Sequence, residues 1–192
     1  MKNTKIKWRH RHSRHFLAHI GVLPAGSMSI IENPSHVLPH EPDLPEGTLM
    51  RSRPIWLITT GEADITRPDG TVHRVKAIFG GLTKHQAGAF RIQALDQDVT
   101  IVCMSPRRLN EWWERQIIQL RSGKTHIIPQ SAEPQSVFVI KGQIAAGEAL
   151  VGEHTYATIP ENSEPKVIKA KSDCALVLLR RSGEFTHAVP AA

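Results

Sequence analysis

One stretch of this sequence has a helical period, and it divides the chain into two halves. It is SPRRLNEWWERQIIQLRSG, residues 105–123. Ser105 can accept a bond from a first-turn N–H, Pro106 has no N–H to leave unpaired, and Gly123 suits the left-handed position after a last turn. Apolar side chains at three- and four-residue steps would form one stripe facing a core or a partner chain: Leu109, Trp112, Trp113, Ile117 and Leu120. The sequence therefore predicts an amphipathic helix over 105–123.

Short apolar runs, cut by Gly, Pro, Asn and Asp, flank the predicted helix on both sides. Their β-branched and aromatic residues alternate with polar ones, which is typical of β-strands. The strands expected before the helix are 55–65, with a bend at Gly61, then 71–79, 89–95 and 99–104. Those expected after it are 124–128, 137–144, 156–159, 166–170 and 175–179. Apart from the helix, the chain is expected to be all-β, and its 192 residues can bury a core without disulfides or metals.

The two β-rich halves resemble each other in sequence. Gly61 in IWLITTGEADI matches Gly142 in VFVIKGQI, 81 residues later. Ala94 and Ala170 lie 76 residues apart in a second pair of similar runs, each followed by a polar turn. Such a pattern indicates a diverged internal duplication with loops of different lengths. Two generic β-meanders are the alternative interpretation of so faint a similarity.

The second half resembles the cupin family, whose small jelly-roll barrels carry the motifs G-x5-H-x-H-x3,4-E-x6-G and G-x5,7-P-x-G-x2-H-x3-N. Gly142, Gly152 and Pro160 match the glycines and the proline of these motifs. Other residues occupy the metal-ligand positions: Gln135, residues 128–131 and Pro165 in the second half, Pro54 and Ala89 in the first. The resemblance implies the barrel fold over 50–104 and 124–181 without the family's metal chemistry, since a divalent ion needs several converging N, O or S donors.

The expected fold class is therefore all-β, with two tandem small jelly-roll or cupin-like barrels joined by one amphipathic helix. The expected divisions are a basic arm and proline-rich extended lead-in at 1–48, a first barrel half at 49–104, the linking helix at 105–123 and a second barrel half at 124–192. Cyclic-nucleotide-binding β-rolls, which also end in a helix, are an alternative. Residues 80–91 contain glycines and Arg91 but lack the ordered glutamate of their phosphate-binding cassette.

Positive charge is concentrated at the beginning of the chain. Residues 1–20 contain six Lys and Arg side chains and no acid, which equals the whole net charge of +6. With one interleaved aromatic they form the predicted anion-binding set: Lys2, Lys5, Lys7, Trp8, Arg9, Arg11 and Arg14. Such an arm favours nucleic acid, anionic lipid or an acidic protein face as its partner. The five prolines between 24 and 45 predict an extended lead-in, with a short strand at 28–31.

No group of residues in the sequence has the context of a catalytic motif. His126 lies close in sequence to the expected cupin histidine positions, and Glu133 and His154 are its candidate companions in a weak alternative metal site. Cys103 and Cys174 lie within apolar runs, where buried free thiols are expected. The sequence therefore predicts no cofactor and favours a protein without catalytic activity.

The sequence resembles a cupin fold, lacks the metal-ligand residues of that family and begins with a basic arm. These features predict a non-catalytic interaction or assembly subunit. The expected partners are further copies of the chain or a larger assembly such as a virion component, with nucleic acid as a candidate for residues 2–14. The alternative is a divergent bicupin metalloenzyme or small-molecule sensor with a pocket near His126 and His154. No apolar run is long enough for a bilayer, and His15 and His19 interrupt a secretory-type stretch, so a cytoplasmic location without membrane insertion is expected.

Overall fold

A computed structural model of the chain describes residues 2–31, 55–77, 81–82, 90–106 and 111–184. Eighteen β-strands occupy these ranges, which contain no helix, and the all-β prediction is confirmed. It follows that the described ranges hold no helix of the length and apolar character needed to cross a membrane. The chain divides into two compact units. Unit 1 is Met1–Arg11 with Leu17–Ser105, and unit 2 is His12–Phe16 with Pro106–Ala192.

The first ten strands form two five-stranded sheets. They are β1 (Lys2–Asn3), β2 (Lys7–His12), β3 (Phe16–Leu23), β4 (Ser27–Ile31), β5 (Ile55–Thr60), β6 (Glu62–Thr66), β7 (Val72–Lys76), β8 (Gly81–Leu82), β9 (Phe90–Ala94) and β10 (Val99–Pro106). The strand orders are β1-β4-β9-β6-β7 and β2-β3-β10-β5-β8. One core cluster draws on both sheets, with Ile65 and Ile92 from the first and Ile58 and Ile101 from the second. The two sheets therefore share a core, as in a jelly-roll barrel.

The remaining strands form two four-stranded sheets. They are β11 (Glu111–Leu120), β12 (Thr125–Ile128), β13 (Gln135–Lys141), β14 (Ile144–Ala146), β15 (Ala149–Val151), β16 (Tyr156–Ile159), β17 (Lys166–Ala170) and β18 (Cys174–Glu184). The strand orders are β11-β18-β13-β16 and β12-β17-β14-β15. Val137 and Leu176 of one sheet pack in one cluster with Ile144 and Ile168 of the other. Unit 2 thus repeats the architecture of unit 1 with fewer strands.

The predicted helix over 105–123 is wrong, because most of this stretch forms strand β11. β11 pairs antiparallel with β18, from Glu111 opposite Glu184 to Leu120 opposite Cys174. Its tryptophans and isoleucines are good strand formers, so local preference for a helix is weak. The eleven-residue β18 offers a ladder of backbone hydrogen bonds along the whole of β11, and this tertiary pairing decides the structure.

The apolar stripe assigned to the helix does not describe one buried face. Ile117 is 39% exposed, whereas its neighbour Ile118, which the stripe omitted, is 6% exposed and lies in the core. Successive strand residues point to opposite faces, so Ile117 and Ile118 lie on opposite faces of the sheet. Leu109 lies outside the described residues, and the rest of the stripe lies in β11: Trp112, Trp113, Ile117 and Leu120.

The beginning of the chain is not an arm followed by an extended lead-in, because residues 2–31 supply strands β1 to β4. The strand expected at 28–31 is confirmed as β4. Pro24 lies in the turn before it and accepts a hydrogen bond from the Ser27 N–H at 3.0 Å, a role that proline can fill without its own N–H. β3 lies between β2 and β10 in its sheet, and its Ala18 and Leu23 side chains are fully buried. The predicted lead-in at 32–48 lies outside the described residues.

The two glycines matched in sequence occupy the same place in the two units. Gly61 and Gly142 have φ angles of 76° and 81°, in the left-handed region that favours glycine. A Cβ atom on Gly61 would lie 2.5 Å from the backbone oxygen of Asp98, and one on Gly142 would clash with the backbone oxygen of Asp173. Each position therefore requires glycine for the same two reasons.

The aspartates beside these glycines extend the equivalence to an earlier part of each unit. Asp98 Oδ1 accepts a bond from the Ala25 N–H at 2.9 Å, and Asp173 Oδ1 accepts one from the Ser122 N–H at 2.8 Å. The next residue in each turn is a glycine with positive φ, at 26 and 123. The turn between β3 and β4 therefore corresponds to the turn between β11 and β12, and the stretch predicted as a linking helix is the counterpart of β3.

Candidate functional site

The predicted anion-binding residues centre on β2, an edge strand of unit 1. Its sequence, KWRHRH, strictly alternates a cation with an aromatic ring or imidazole. Because successive strand side chains point to opposite faces, Lys7, Arg9 and Arg11 share one face, and Trp8 and His10 share the other. This period of two was the signal in the sequence that could have identified a strand here. Lys7, Arg9 and Arg11 are therefore held on one face of a sheet strand.

The aromatic face of β2 fixes the strand to the rest of unit 1. The rings of Trp8 and Trp56 pack edge to face with their centroids 6.1 Å apart. A Cβ atom on Gly21 of β3 would lie 2.3–2.9 Å from side-chain atoms of Ile6 and Trp8, so only glycine lets β2 approach β3 this closely. Trp8 packs against the core of unit 1. Trp8 is half-buried by this packing.

A histidine pair adds a polar contact to the same face. The Nδ1 atoms of His10 and His19 lie 2.7 Å apart, and His19 is 2% exposed. Such a contact needs one ring to donate its Nδ1–H and the other to accept with a bare Nδ1. The pair therefore joins β2 to β3 through complementary tautomers.

The cationic face of β2 is open to solvent. Lys7, Arg9 and Arg11 are exposed, and positions two apart on a strand are separated by about 6.5–7 Å. The other basic side chains of the predicted set are also exposed: Lys2, Lys5 and Arg14. Among the residues that the structure describes, no ion pair includes any of these six cations. Their charge is thus available to an external anion.

The structure does not bring the alternative metal-site residues together. His126 lies half-buried on β12, and His154 lies in the turn between β15 and β16 with a φ of 59°. Glu133 accepts a hydrogen bond from the Arg181 Nε–H at 2.6 Å, so its carboxylate is engaged elsewhere. Within the described part of the chain, no three His, Cys, Asp or Glu side chains converge as metal ligands would.

The position of the cupin glutamate is occupied by a buried amide. Gln135 is 1% exposed, and its Nε2–H donates to the Pro129 carbonyl at 2.9 Å. Gln135 Oε1 and the Nε of Arg180, which lies directly opposite on β18, are buried and have no hydrogen-bond partner among the described residues. Sequence reasoning missed Arg180. The alternation of side chains along β18 could have identified it. Leu176 and Leu178 pack in the core, and residue 180 lies on the same face of the strand.

Both cysteines are free and buried, as the sequence predicted. Burial raises the pKa of the Cys103 thiol far above its ordinary value and also raises the pKa of Cys174. A nucleophilic cysteine needs a lowered pKa, so neither thiol has the environment of a catalytic nucleophile.

Solved structures of known proteins share this arrangement of strands. YhaK from Escherichia coli matches with a TM-score of 0.56 and 14% identity, covering 93% of this chain and 86% of that one. A cupin 2 conserved barrel domain protein from Leptotrichia buccalis matches with a TM-score of 0.51 and 11% identity, covering 95% and 91%. The chain has a cupin fold. The bacterial pirin YhhW of Escherichia coli, in complex with nickel(II), matches with a TM-score of 0.56 and 10% identity, covering 92% and 98%.

The cupin assignment rests on structure, because sequence comparison finds no counterpart. No protein-family model matches the chain, and no curated protein matches it.

Proposed function

We propose that this cupin-fold protein is a non-catalytic interaction subunit whose strand β2 binds an anionic partner. The observation that carries the proposal is the exposed row of Lys7, Arg9 and Arg11, flanked by three more exposed cations. On this proposal the protein is part of a homo-oligomer or a larger assembly, for example a virion, and assembles in the cytoplasm.

The packing of β2 makes its cations a better binding surface than a disordered arm would be. Ordering a free chain on binding costs conformational entropy, which subtracts from affinity. Trp8 against Trp56 and His10 against His19 fix β2 before any partner arrives. Lys7, Arg9 and Arg11 are thus held on one face, and only their side chains lose freedom on binding.

The test is retention of the full chain on immobilised heparin, a general polyanion. The variant Lys7→Ser, Arg9→Ser, Arg11→Ser should elute at clearly lower salt than the natural protein, because contacts between exposed charges are screened by salt. The matched control removes three exposed lysines of unit 2: Lys124→Ser, Lys169→Ser, Lys171→Ser. Since both variants lose three positive charges, equal elution of the two would overturn the proposal.

Light scattering behind a sizing column tests the assembly part separately. A particle several times the chain mass of 21.4 kDa is expected. A strict monomer at all concentrations would contradict membership of a homo-oligomer, and the heparin result would be unaffected.

A second candidate function is a small-molecule sensor or divergent metalloenzyme. A sensor is favoured by two buried polar atoms on the core-facing side of unit 2, Gln135 Oε1 and Arg180 Nε, which could bind a small polar molecule. The metalloenzyme alternative is favoured by the nickel in the similar pirin YhhW alone. Elemental analysis after gentle purification tests the metal part. Stoichiometric nickel, iron, zinc or manganese would support an enzyme, and its absence from protein purified without chelators would count against one.

A further inference from the structure

Among the strands that the structure describes, β2 is the last of its sheet and has β3 as its only neighbour in the strand order. Five of its six residues are exposed, and Trp8 is half-buried. The outer side of such an edge strand presents backbone N–H and C=O groups that a further strand could pair with. We propose that the anionic partner is an extended acidic polypeptide segment that adds to this sheet as a strand beside β2. This inference rests on the proposed function and specifies its partner.

The charges on β2 select against pairing with another copy of itself. Two β2 strands side by side would place Lys7, Arg9 and Arg11 against cations of the other copy, and like charges in cross-strand positions are unfavourable. Exposed cations are a common means by which natural sheets prevent edge-to-edge association. An acidic strand meets no such barrier, because each of its carboxylates would face a cation.

The alternation of β2 defines the sequence pattern of the partner. Side chains on one face of a sheet come from every second residue of each strand. A segment with Asp or Glu at three alternate positions would place all three beside Lys7, Arg9 and Arg11. The intervening residues would lie on the face of Trp8, His10 and His12, where strand-forming residues such as Val or Thr fit.

The aromatic residues of β2 favour a polypeptide over a single-stranded nucleic acid. Proteins that bind single strands stack bases on exposed aromatic rings. Trp8 packs edge to face on Trp56, and the Nδ1 atom of His10 is engaged by His19. The features left open on β2 are its cations and its backbone edge, and a strand uses both.

Fluorescence anisotropy of labelled synthetic peptides with the full chain tests strand addition. The probe is a nine-residue peptide with Glu at four alternate positions and Val or Thr between them. It should bind at least tenfold more tightly than a peptide of the same composition with its glutamates consecutive. Two N-methylated forms separate backbone pairing from charge, one methylated at the glutamate amides and one at the intervening amides. One form should lose at least tenfold in affinity and the other should bind as the parent does, because successive amides of a strand point to opposite edges.

Charge reversal on the protein supplies the reciprocal test. Arg9→Glu with Arg11→Glu should weaken binding of the glutamate peptide at least tenfold and create binding of a matching alternate-lysine peptide. The control Lys169→Glu with Lys171→Glu should do neither. If the heparin result holds but both N-methylated peptides bind like the parent, strand addition is overturned and the proposed function stands. Tighter binding of a single-stranded oligonucleotide than of the peptide at the same salt would also overturn it. Loss of the heparin effect would overturn the proposed function itself.

Discussion

Units 1 and 2 share two turns and differ at one edge of each sheet. The strand that precedes the shared Asp-bonded turn is β3 in unit 1 and β11 in unit 2. Outside β3 lies the additional strand β2, and β1 is added outside β4 in the other sheet, whereas β11 is the last described strand of its own sheet. The shared elements are backbone devices that any such barrel needs, and the added strand β2 carries the concentrated charge. The comparison teaches that the repeated positions specify the fold, whereas the charge of β2 lies on a strand that the repeat does not require.

The outer faces of the corresponding sheets differ as well. On unit 1, Arg74 of β7 forms two hydrogen bonds with the opposite Asp64 of β6, at 2.8 and 3.0 Å. On unit 2, the hairpin of β14 and β15 places Ala145 opposite Leu150, which is 61% exposed. The charged pair of one unit has an apolar pair as its counterpart. The two units have therefore diverged in surface chemistry while keeping their core geometry.

The largest predicted effect concerns a buried aromatic side chain of unit 2. Phe16, at the start of β3, is assigned to unit 2, is 1% exposed and packs edge to face on Trp113 with ring centroids 4.4 Å apart. Phe16→Ala should lower the free energy of unfolding by about 3–5 kcal/mol, through lost burial and a residual cavity. Denaturant unfolding followed by tryptophan fluorescence measures it.

Val22→Ala is the matched control for this variant, because Val22 lies on the same strand and is 48% exposed. Its effect should stay within about 0.5 kcal/mol. If Phe16→Ala costs no more than Val22→Ala, the packing of Phe16 on Trp113 does not stabilise unit 2.

The second prediction tests whether the two glycines are equivalent. Gly61→Ala and Gly142→Ala should each destabilise the protein by about 2–4 kcal/mol, because each combines a strained φ with a steric clash. The controls are Gly70→Ala and Gly147→Ala, whose φ angles of 83° and 62° are also positive but whose Cβ atoms would meet nothing within 4 Å. These should cost about 1–2 kcal/mol, from backbone strain alone. Unequal costs at 61 and 142, or costs equal to the controls, would break the equivalence.

The sequence predicted the strands of the two barrels and their repeated glycine because these signals are local. A run such as IWLITT, ended by a glycine that the turn requires, specifies its own structure. Residues 111–120 and 7–12 were assigned wrongly for a different reason. Each becomes a strand by pairing with a chain segment that the local pattern does not identify, β18 in one case and β3 in the other. From local pattern alone, the helix-like spacing of 111–120 predicted a helix, and the charge of 7–12 predicted a basic arm.

The candidate site was predictable in composition but not in geometry. The cations of residues 2–14 were visible as charge, and they proved to be exposed. What no single-sequence pattern revealed was the support beneath them, which depends on Trp56 and His19 from other strands. Arg180 was missed for the same reason, because its burial depends on the sheet around Gln135.

The third prediction concerns the aspartates that tie the repeated turns. Asp98→Ala and Asp173→Ala should each lower the free energy of unfolding by about 0.5–1.5 kcal/mol, the usual contribution of one hydrogen bond. Thermal or denaturant unfolding measures both. Asp96→Ala, an exposed aspartate two residues before Asp98, is the control and should have no measurable effect. If only one of the two variants loses stability, the two turns have the same geometry but do not contribute equally to the free energy of unfolding.

The smallest predicted effect concerns the ion pair of Arg74 with Asp64, at whose counterpart in unit 2 Ala145 lies opposite Leu150. The hydrogen bonds from Arg74 hold the pKa of Asp64 below its ordinary value, and the charge of Arg74 acts in the same direction. A carboxyl with a lowered folded-state pKa stabilises the fold above the unfolded pKa of about 3.9, and this contribution disappears as the pH falls through the folded value. Arg74→Ala should therefore raise the Asp64 pKa toward about 3.9 and remove a small stabilisation that is fully present above that pH and lost as the pH falls through the folded-state pKa.

NMR titration of the Asp64 carboxyl measures this shift directly, so the prediction does not depend on resolving a small change in stability. Lys76→Ala is the matched control, because Lys76 is a cation on the same strand that lies 3.8 Å from Glu62 instead of Asp64. It should leave the Asp64 pKa where it is, since exposed charges without a hydrogen bond are strongly screened. Equal shifts in the two variants would mean that the general positive charge of β7 sets the Asp64 pKa. The difference between the outer faces of the two units would then be one of overall charge, with no specific pair at Arg74 and Asp64.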